Sequence, residues 1–266
     1  MLLDTLKLLR LGMSNPVSRA VVMLGDRHRP GEQSRLNLAL RNFACDEPLG
    51  GFTDRAYSLL VKAVLGVGCQ AFGTDIESIK DYLREETVRR AVSMVLSSIG
   101  LYGVTRPQLL KAPFLVVWNF TNACNLRCKH CYQNAGERLT NELSTKEKIA
   151  VVNELADAGV VAIAFSGGEP LASPEFFDIA KTVRDKGLYV ALATNGTMLT
   201  KDKARILRKI DVCYVEVSLD AASPELHDSF RGISGSYARS LEGIRNCVEE
   251  GIFTSCLLYT SDAADE

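Results

Sequence analysis

The spacing of apolar residues along the chain changes near residue 112. Before that point apolar residues recur at helical intervals, and Asn15-Pro16 and Arg29-Pro30-Gly31 interrupt the pattern. A capping box at Thr74-Asp75-Ile76-Glu77 predicts the start of a long helix that runs to about Ile99. The pattern therefore predicts an all-helical region over residues 1–111. Its other predicted helices cover 2–12, 16–24, 32–45 and a segment from Thr53 to about Gly66-Val67-Gly68.

From Pro113 onward, short apolar runs alternate with helical segments. The run Pro113–Trp118 predicts the first strand, and a capping box at Ser144-Thr145-Lys146-Glu147 opens the first helix of this region. Such alternation is typical of parallel strands joined by right-handed helical crossovers, in either a doubly wound sheet or a barrel. The remaining predicted strands are 160–165, 189–193, 212–219 and one beginning at 252, and the remaining helices begin near Ser173, Lys201 and Tyr237.

Three cysteines, Cys124, Cys128 and Cys131, follow the first predicted strand within eight residues. Clustered thiolates favour an iron–sulfur cluster, zinc or copper over hard cations. A structural zinc site normally has four ligands in two pairs, and no second CxxC or HxxxH pair accompanies this trio. A four-iron cluster takes one cysteine per iron, so three cysteines would leave one iron open.

The CxxxCxxC spacing, with the planar residue His130 before the last cysteine, resembles the signature of the radical S-adenosylmethionine (radical SAM) superfamily. The resemblance covers about residues 113–255. It implies an α/β fold, a partial (β/α) barrel that stops after about the fifth strand. It also implies two cofactors, a [4Fe–4S] cluster on the three cysteines and S-adenosylmethionine.

Further polar motifs follow the second, third and fourth predicted strands, and in such barrels the chemistry sits at the carboxyl ends of the strands. Gly167-Gly168-Glu169-Pro170 resembles the family's GGEP motif, which implies that it holds the methionine amino group. By the same resemblance Asn195 lines the cofactor pocket, with a simple turn as its alternative. Ser218 and Asp220 would bind the ribose hydroxyls or the carboxylate of S-adenosylmethionine. Their alternative role is to cap a helix or to end a strand.

Several residues near these motifs have less defined predictions. The guanidinium of Arg231 would bind a carboxylate through two hydrogen bonds, or Arg231 would lie on the surface. Tyr132 would shield the cluster, flank the adenine or simply pack. His227 and Asp228 are expected to be surface or substrate-side residues without a role. The side chains predicted to tune the cluster potential are Asn125, Arg127 and Lys129.

The activity implied by the resemblance is reductive cleavage of S-adenosylmethionine to a 5′-deoxyadenosyl radical, which abstracts hydrogen from a substrate. The substrate would be a peptide, a protein or a cofactor precursor, and a ferredoxin or flavodoxin would donate the electron. The alternatives are a non-catalytic iron–sulfur or zinc protein with an electron-transfer or structural role, and an inactive fragment. The GGEP motif favours the enzyme, because an electron carrier needs no pocket for methionine.

Composition and charge mainly argue against certain classes of protein, namely nucleic-acid-binding, secreted and membrane-spanning proteins. The formal net charge of −1 does not favour nucleic-acid binding. The start of the chain lacks the features of a secretory signal, and the longest uncharged stretch, 91–105, is too short for a membrane span. A cytoplasmic protein with reduced cysteines is therefore expected. The four cysteines expected in the core are Cys45, Cys69, Cys213 and Cys247.

The last residues, 256–266, break the preceding pattern and resemble a translated sequencing adapter. The natural sequence is therefore expected to stop near Ser255 and the chain to be the front part of a longer protein. A missing C-terminal auxiliary-cluster (SPASM-like) domain would fit the resemblance. The expected domains are residues 1–111, the incomplete radical SAM core 112–255 and the tail 256–266.

Overall fold

A computed structural model describes residues 16–26, 33–47 and 51–258 of the chain. The predicted helix over 2–12 and most of the tail, 259–266, lie outside these residues. The chain divides into two compact units. One contains the residues up to Phe114 together with Leu155–Val161, and the other contains Leu115–Glu154 and the residues from Ala162 onward.

The first unit is mostly helical over the described residues up to Tyr102, whereas residues 103–114 form turns and bends without a helix, so the all-helical prediction for 1–111 fails at its end. Its helices form an apolar cluster in which Leu36, Leu40 and Phe43 are almost completely buried, with Val61 and Leu83 beside them. This burial accounts for the helical spacing of the apolar residues. The helices are α1 (Pro16–Asp26), α2 (Arg35–Cys45), α3 (Phe52–Phe72), α4 (Ile76–Arg84) and α5 (Glu86–Tyr102).

Two details of this unit differ from the sequence prediction. The predicted long helix is divided into α4 and α5, because Glu85 has extended backbone angles (φ −74°, ψ 124°). The side chain that caps α4 is Asp75, which accepts a hydrogen bond from Ser78 N at 3.0 Å, so the capping box predicted at Thr74 is wrong. Helix α3 also continues past Gly66 to Phe72, since an interior glycine weakens a helix without ending it.

The second unit contains a parallel sheet with the strand order β1-β2-β3-β4-β5. Consecutive strands are neighbours, and helices connect them, as expected for a partial (β/α) barrel. The predicted fold class is confirmed. The strands are β1 (Leu115–Thr121), β2 (Ala162–Gly167), β3 (Tyr189–Thr194), β4 (Tyr214–Leu219) and β5 (Thr254–Leu258). The helices are α6 (Thr145–Ala158, of which the residues from Leu155 are counted with the first unit), α7 (Phe176–Asp185), α8 (Lys201–Lys209), α9 (Pro224–Arg231) and α10 (Ser236–Glu249), with a short 3₁₀ helix at Pro170–Ala172.

The two faces of this sheet have different side chains. On β3, Val190 and Leu192 are fully buried, whereas Ala191 and Ala193 point to the opposite face and are half-buried. The same alternation on β4 places Ser218 on the less buried face. Because all strands are parallel, their carboxyl ends meet at one edge, where the predicted polar motifs follow them.

Helix starts in this unit were partly predictable. The capping box at Ser144 is confirmed, since Ser144 N donates to Glu147 Oε2 at 2.8 Å and Glu147 N donates back to Ser144 Oγ at 3.4 Å. Helix α9 was not predicted. Its signal is present, because Ser223 precedes Pro224 and its side chain accepts a hydrogen bond from Leu226 N.

Burial of the isolated cysteines only partly follows the prediction. Cys69 and Cys247 are buried, Cys213 is half-buried and Cys45 is exposed. Core positions for Cys45 and Cys213 were therefore wrongly predicted. Cys45 is the last residue of α2, where the chain turns at Asp46 (φ 52°). Among the described residues, no helix combines the length and apolar character needed to cross a bilayer.

Candidate functional site

A cavity of about 420 Å³ lies at the carboxyl ends of the strands in the second unit. All three cysteines line it, and so do residues from the ends of β2, β3 and β4. Every predicted site residue except Glu169 contributes to its wall. The predicted residues in the wall are Cys124, Cys128, Cys131, His130, Gly167, Gly168, Asn195, Ser218, Asp220 and Arg231, and Tyr132 is also there.

Backbone hydrogen bonds fix the cysteine loop at its base and in its middle. At its base, Cys124 N donates to Gly136 O at 3.0 Å and Gly136 N donates to Asn122 O at 2.9 Å. Further along, Arg127 N donates to Arg231 O at 3.0 Å and Lys129 N donates to Phe230 O at 2.8 Å. The carboxyl end of α9 thus supports the middle of the loop.

Four N–H groups approach the cysteine sulfurs. Leu126 N lies 3.5 Å from Cys124 Sγ, and Ala135 N lies 3.4 Å from Cys131 Sγ. Two side chains approach as well, Asn195 Nδ2 at 4.0 Å from Cys124 Sγ and Arg231 Nη1 at 3.9 Å from Cys128 Sγ. Donors to sulfur influence the potential of an iron–sulfur cluster.

The side chains predicted to tune the potential bind elsewhere. Arg127 Nη1 donates to Cys124 O at 2.8 Å, Lys129 Nζ donates to Ser229 Oγ at 3.1 Å, and Asn125 Nδ2 donates to Thr197 Oγ1 at 2.8 Å. The sequence analysis did not identify the sulfur contacts of Arg231 and Asn195, because their positions depend on how α9 and β3 pack.

Burial raises the pKa of the Cys124 and Cys128 thiols. For Cys128, the positive charge of Arg231 and its contact with the sulfur oppose that effect. Thiolates are the metal ligands, so metal binding at this site releases protons.

The two glycines of the GGEP motif lie against the chain that leads into the cysteine loop. Gly167 has a φ of +115°, and a Cβ on Gly168 would lie 2.3 Å from Ala123 O. Gly168 N also donates to Thr121 O at 2.8 Å. The close backbone approach that the glycines allow is therefore, at least in part, an approach to the protein's own chain.

Glu169 is fully buried, and its carboxylate joins the ends of β2 and β3. Its oxygens accept hydrogen bonds from Thr194 Oγ1 at 2.8 and 2.9 Å, from Asn195 N at 2.8 Å and from Leu171 N at 3.1 Å. Burial raises the pKa of this carboxyl, and these hydrogen bonds oppose the rise. Its predicted contact with the methionine amine stays a prediction.

Asn195 occupies a turn and the cavity wall at once. Its Oδ1 atom accepts hydrogen bonds from Thr197 N at 2.9 Å and Thr197 Oγ1 at 2.7 Å, and Gly196 follows with a φ of +77°. Its Nδ2 atom donates to Asn125 Oδ1 at 2.9 Å. The sequence analysis offered a turn and a place in the pocket wall as alternatives for Asn195, and the structure shows both.

Asp220 and Arg231 form a buried ion pair beside the cysteines. Arg231 Nε and Nη2 donate to the two carboxylate oxygens of Asp220 at 2.5 and 2.8 Å. His130 Nε2 lies 3.7 Å from Asp220 Oδ1 on the cavity side. The surface alternative for Arg231 is wrong, because only 7% of the residue is exposed. Tyr132 is 82% exposed at the rim, so packing in the core does not explain it.

His227 and Asp228 were expected at the surface or on the substrate side, without a role; the structure corrects the surface position of both, and neither lines the cavity. His227 is fully buried, and its Nδ1 atom accepts a hydrogen bond from Asp220 N at 3.2 Å. Asp228 is half-buried and accepts hydrogen bonds from Ser236 Oγ at 2.7 Å and Tyr237 N at 2.8 Å, at the start of α10. Both residues support α9 and α10 behind the cavity.

Three thiols around one cavity, with N–H donors near their sulfurs, fit an iron–sulfur cluster. Within the described ranges, no three cysteine, histidine, aspartate or glutamate side chains form a group that could hold one metal ion. A zinc site requires four ligands around one centre. A [4Fe–4S] cluster takes one cysteine per iron, so three cysteines around one cavity can each bind a different iron, and the N–H donors near the sulfurs suit its charge.

Comparison with known proteins agrees with this site. The model of the Radical SAM superfamily matches residues 118–261. The chain is 43% identical over 139 residues to a protein of Methanosarcina barkeri named Fe-coproporphyrin III synthase, covering 52% of this chain and 35% of that protein. It is 34% identical over 142 residues to mycofactocin maturase MftC of Mycobacterium tuberculosis, covering 53% and 36%.

The chain thus spans about a third of the length of these curated relatives. The solved structure of SuiB from Streptococcus suis bound to S-adenosylmethionine matches with a TM-score of 0.54 and 15% identity, over 85% of this chain and 49% of that chain. It supports the fold. The superfamily's cofactors are a [4Fe–4S] cluster and S-adenosylmethionine. From its sequence motif, its fold and the match over more than half of its length, the chain belongs to the radical SAM superfamily.

Proposed function

We propose that this protein reductively cleaves S-adenosylmethionine and uses the resulting 5′-deoxyadenosyl radical to abstract hydrogen from a substrate. The observation that carries the proposal is the convergence of three cysteines with residues from the ends of β2, β3 and β4 on one cavity. A non-catalytic electron carrier would need the cysteines alone.

When bound, the cluster would pass one electron from an external reductant to the sulfonium of S-adenosylmethionine, and breaking a carbon–sulfur bond would then give methionine and the 5′-deoxyadenosyl radical. The chain's own residues bind and orient these groups. Cys124, Cys128 and Cys131 supply three thiolates and leave one iron without a protein ligand. The half-buried Gly167 and Gly168 form one wall of the cavity, and the buried Phe165 and Glu169 on either side of them shield that wall from solvent.

In this proposal the polar residues of the cavity hold S-adenosylmethionine. Ser218 and Asn195 offer a hydroxyl and an amide to the ribose or the carboxylate, since both lie in the cavity wall. Arg231 contributes positive charge near Cys128, with its orientation fixed by Asp220. His130, which is half-exposed beside Asp220, lies against the nucleoside. Glu169 binds the methionine amine directly, or it orients the backbone that binds the amine. Its hydrogen bonds from Asn195 N and Leu171 N favour the second role.

The substrate we propose to test first is the precursor of an iron-containing porphyrin, and the second is a peptide. The porphyrin precursor comes first because the identity is 43% to the relative named for a coproporphyrin and 34% to the relative named as a maturase. The small side chain of Ala193 lines the cavity. A ferredoxin or flavodoxin is the proposed electron donor, and the cytoplasm the proposed location.

The test is anaerobic reconstitution of the cluster, reduction with dithionite and addition of S-adenosylmethionine. We expect 5′-deoxyadenosine from the wild type and none from Cys124→Ser, Cys128→Ser or Cys131→Ser. The matched control is Cys45→Ser, because Cys45 is exposed and lies in the helical unit. A reducible cluster in the wild type without any 5′-deoxyadenosine would instead favour an electron carrier.

A further inference from the structure

Four charged side chains with alternating sign form a chain of contacts behind the cysteine loop. Glu142 Oε2 lies 3.1 Å from Arg138 Nε, and Arg138 Nη2 lies 2.7 Å from Glu175 Oε1. Lys148 Nζ donates to the same Glu175 oxygen at 2.8 Å. The Lys148 side chain is only 1% exposed, and those of Glu142 and Glu175 are each 9% exposed. Charges buried to this extent need partners, and these four partner one another.

The two outer side chains of this charged row, Glu142 and Lys148, both contact the carboxyl end of β1. At one end, Glu142 Oε1 accepts hydrogen bonds from Asn122 N at 2.7 Å and Thr121 Oγ1 at 3.0 Å. At the other end, Lys148 Nζ lies 3.9 Å from the centroid of the Phe120 ring. The contacts therefore close a ring on consecutive residues, Phe120 to Asn122, and we name the four charged residues the β1 clasp.

The residues held by the β1 clasp determine where the cysteine loop begins. Cys124 follows Asn122 by two positions, and the loop is closed at its base by the hydrogen bonds between Gly136 and Asn122 and Cys124. The GGEP turn depends on the same segment, because Gly168 N donates to Thr121 O at 2.8 Å and Glu169 N donates to Ala123 O at 2.8 Å. A displacement of Thr121 would therefore move a cysteine and the GGEP turn together.

We propose that the β1 clasp positions Cys124 relative to the GGEP turn, with Glu142 and Lys148 as its two positioning residues. Neither residue lines the cavity. This inference rests on the proposed function, because the clasp would set the distance between the cluster and S-adenosylmethionine only if both bind at this site. Its structural part is testable in the cluster-free protein.

The first experiment measures hydrogen exchange in the cluster-free chain. In Glu142→Gln, which loses the charge but keeps one acceptor oxygen, we expect the amides of Asn122, Cys124 and Gly136 to exchange about tenfold faster, as expected for one weakened charge-assisted hydrogen bond. Helix α8 should exchange at the wild-type rate. The matched control is Glu147→Gln, because Glu147 is a neighbouring exposed residue that caps α6 and does not contact β1.

A second readout reports on the Lys148 end. Trp118 is the only tryptophan of the chain, and its ring lies 5.5 Å from that of Phe120. We expect Lys148→Met to shift the Trp118 emission of the cluster-free protein. Lys181→Met is the control, since Lys181 forms an exposed ion pair with Asp185. Wild-type exchange at the three amides in Glu142→Gln, or unchanged emission in Lys148→Met, would overturn the proposal.

Affinity for S-adenosylmethionine then separates this inference from the proposed function. On the reconstituted protein, we expect Glu142→Gln to weaken the binding of S-adenosylmethionine about tenfold, while iron content and thermal unfolding stay close to those of Glu147→Gln. If the wild type itself binds no S-adenosylmethionine, the proposed function fails. If the wild type binds it and Glu142→Gln binds it equally well, the clasp has no role in cofactor geometry.

Discussion

Arg231 Nη1 lies 3.9 Å from Cys128 Sγ, while the other two nitrogens of the same guanidinium bind both oxygens of Asp220. One buried arginine therefore joins the cysteine loop to the end of β4. Because its carbonyl also accepts the hydrogen bond from Arg127 N, the end of α9 determines both the backbone and the charge around Cys128.

This contact predicts the effect of Arg231 on the reduction potential of the cluster. Arg231→Gln removes a positive charge beside a thiolate and leaves Asp220 in place, so the reduced cluster is less stabilised. We expect the midpoint potential to fall by on the order of 50 mV, from a Coulomb energy of about 1 kcal/mol in a partly buried site. A redox titration followed by electron paramagnetic resonance measures it.

The control for this prediction is Arg239→Gln. Arg239 is exposed, and its guanidinium donates to Ser234 O at 3.4 Å, away from the cysteines. A potential in Arg231→Gln equal to that in Arg239→Gln would show that the arginine has no electrostatic influence on the cluster.

Gly168→Ala is predicted to disturb the cysteine loop through the backbone. The added methyl group would lie 2.3 Å from Ala123 O, so the segment leading to Cys124 must move. We expect the free energy of unfolding of the cluster-free protein to fall by about 1–3 kcal/mol, and the iron bound after reconstitution to fall with it. Urea unfolding and iron analysis measure the two effects.

Gly66→Ala is the matched substitution, because a Cβ at this position in α3 meets no atom within 4 Å. It should leave stability unchanged or raise it by up to about 1 kcal/mol. A similar small effect at Gly168 would mean that the GGEP turn is not packed against the loop.

Glu175 gives the clasp a predictable dependence on pH. Burial opposes its ionisation, but the hydrogen bond from Lys148, the backbone N–H of Glu175 and the positive charge of Lys148 outweigh burial and lower its pKa from 4.5 to about 2. A carboxyl with a lowered folded-state pKa stabilises the fold above its unfolded value and loses that stability on acidification. We therefore expect about 1–3 kcal/mol of unfolding free energy to be lost between about pH 4.5 and about pH 2.

Equilibrium unfolding of the cluster-free protein across this range is the measurement. The double variant Glu175→Gln with Lys148→Met lacks both partners. Between about pH 4.5 and about pH 2 we expect it to lose about 1–3 kcal/mol less unfolding free energy than the wild type. Parallel pH profiles for the wild type and the double variant would contradict the assignment.

His227 should make stability depend on pH near neutrality. Burial, and next the positive charge of Arg231, lower its pKa below 6.5, and Nδ1 accepts the hydrogen bond from Asp220 N only when unprotonated. The folded protein thus favours neutral imidazole, and the unfolded chain gains a proton as the pH falls through about 6.5. We expect the unfolding free energy to decrease below that pH in the wild type and to decrease less in His227→Gln. Equal decreases would contradict it.

Much of this fold was predictable because its pattern is local. The switch from helical spacing to alternating strands and helices near residue 112 follows from side-chain periodicity, and the capping box at Ser144 follows from four adjacent residues. The order of the motifs along the chain placed the three cysteines, Asn195 and Ser218 at one edge of a parallel sheet, and the structure brings them to one cavity.

What the sequence could not show depends on contacts between distant residues. Glu142 and Lys148 look like ordinary charged residues, and their ring with Arg138 and Glu175 exists only in the folded chain. His227 was expected at the surface or on the substrate side because its burial depends on the packing of α9, a short helix that the sequence analysis did not predict. For Glu169, the sequence showed a carboxylate but not that β3 would supply its donors.

The most direct test of the central claim is Mössbauer spectroscopy of the ⁵⁷Fe-reconstituted protein with and without S-adenosylmethionine. Three thiolates in one cavity should hold a four-iron cluster in which one iron lacks a protein ligand. We predict that S-adenosylmethionine changes the isomer shift of one iron in four and leaves the other three as they were. A spectrum that does not respond to S-adenosylmethionine, or a protein that takes up zinc in place of a four-iron cluster, would contradict the account.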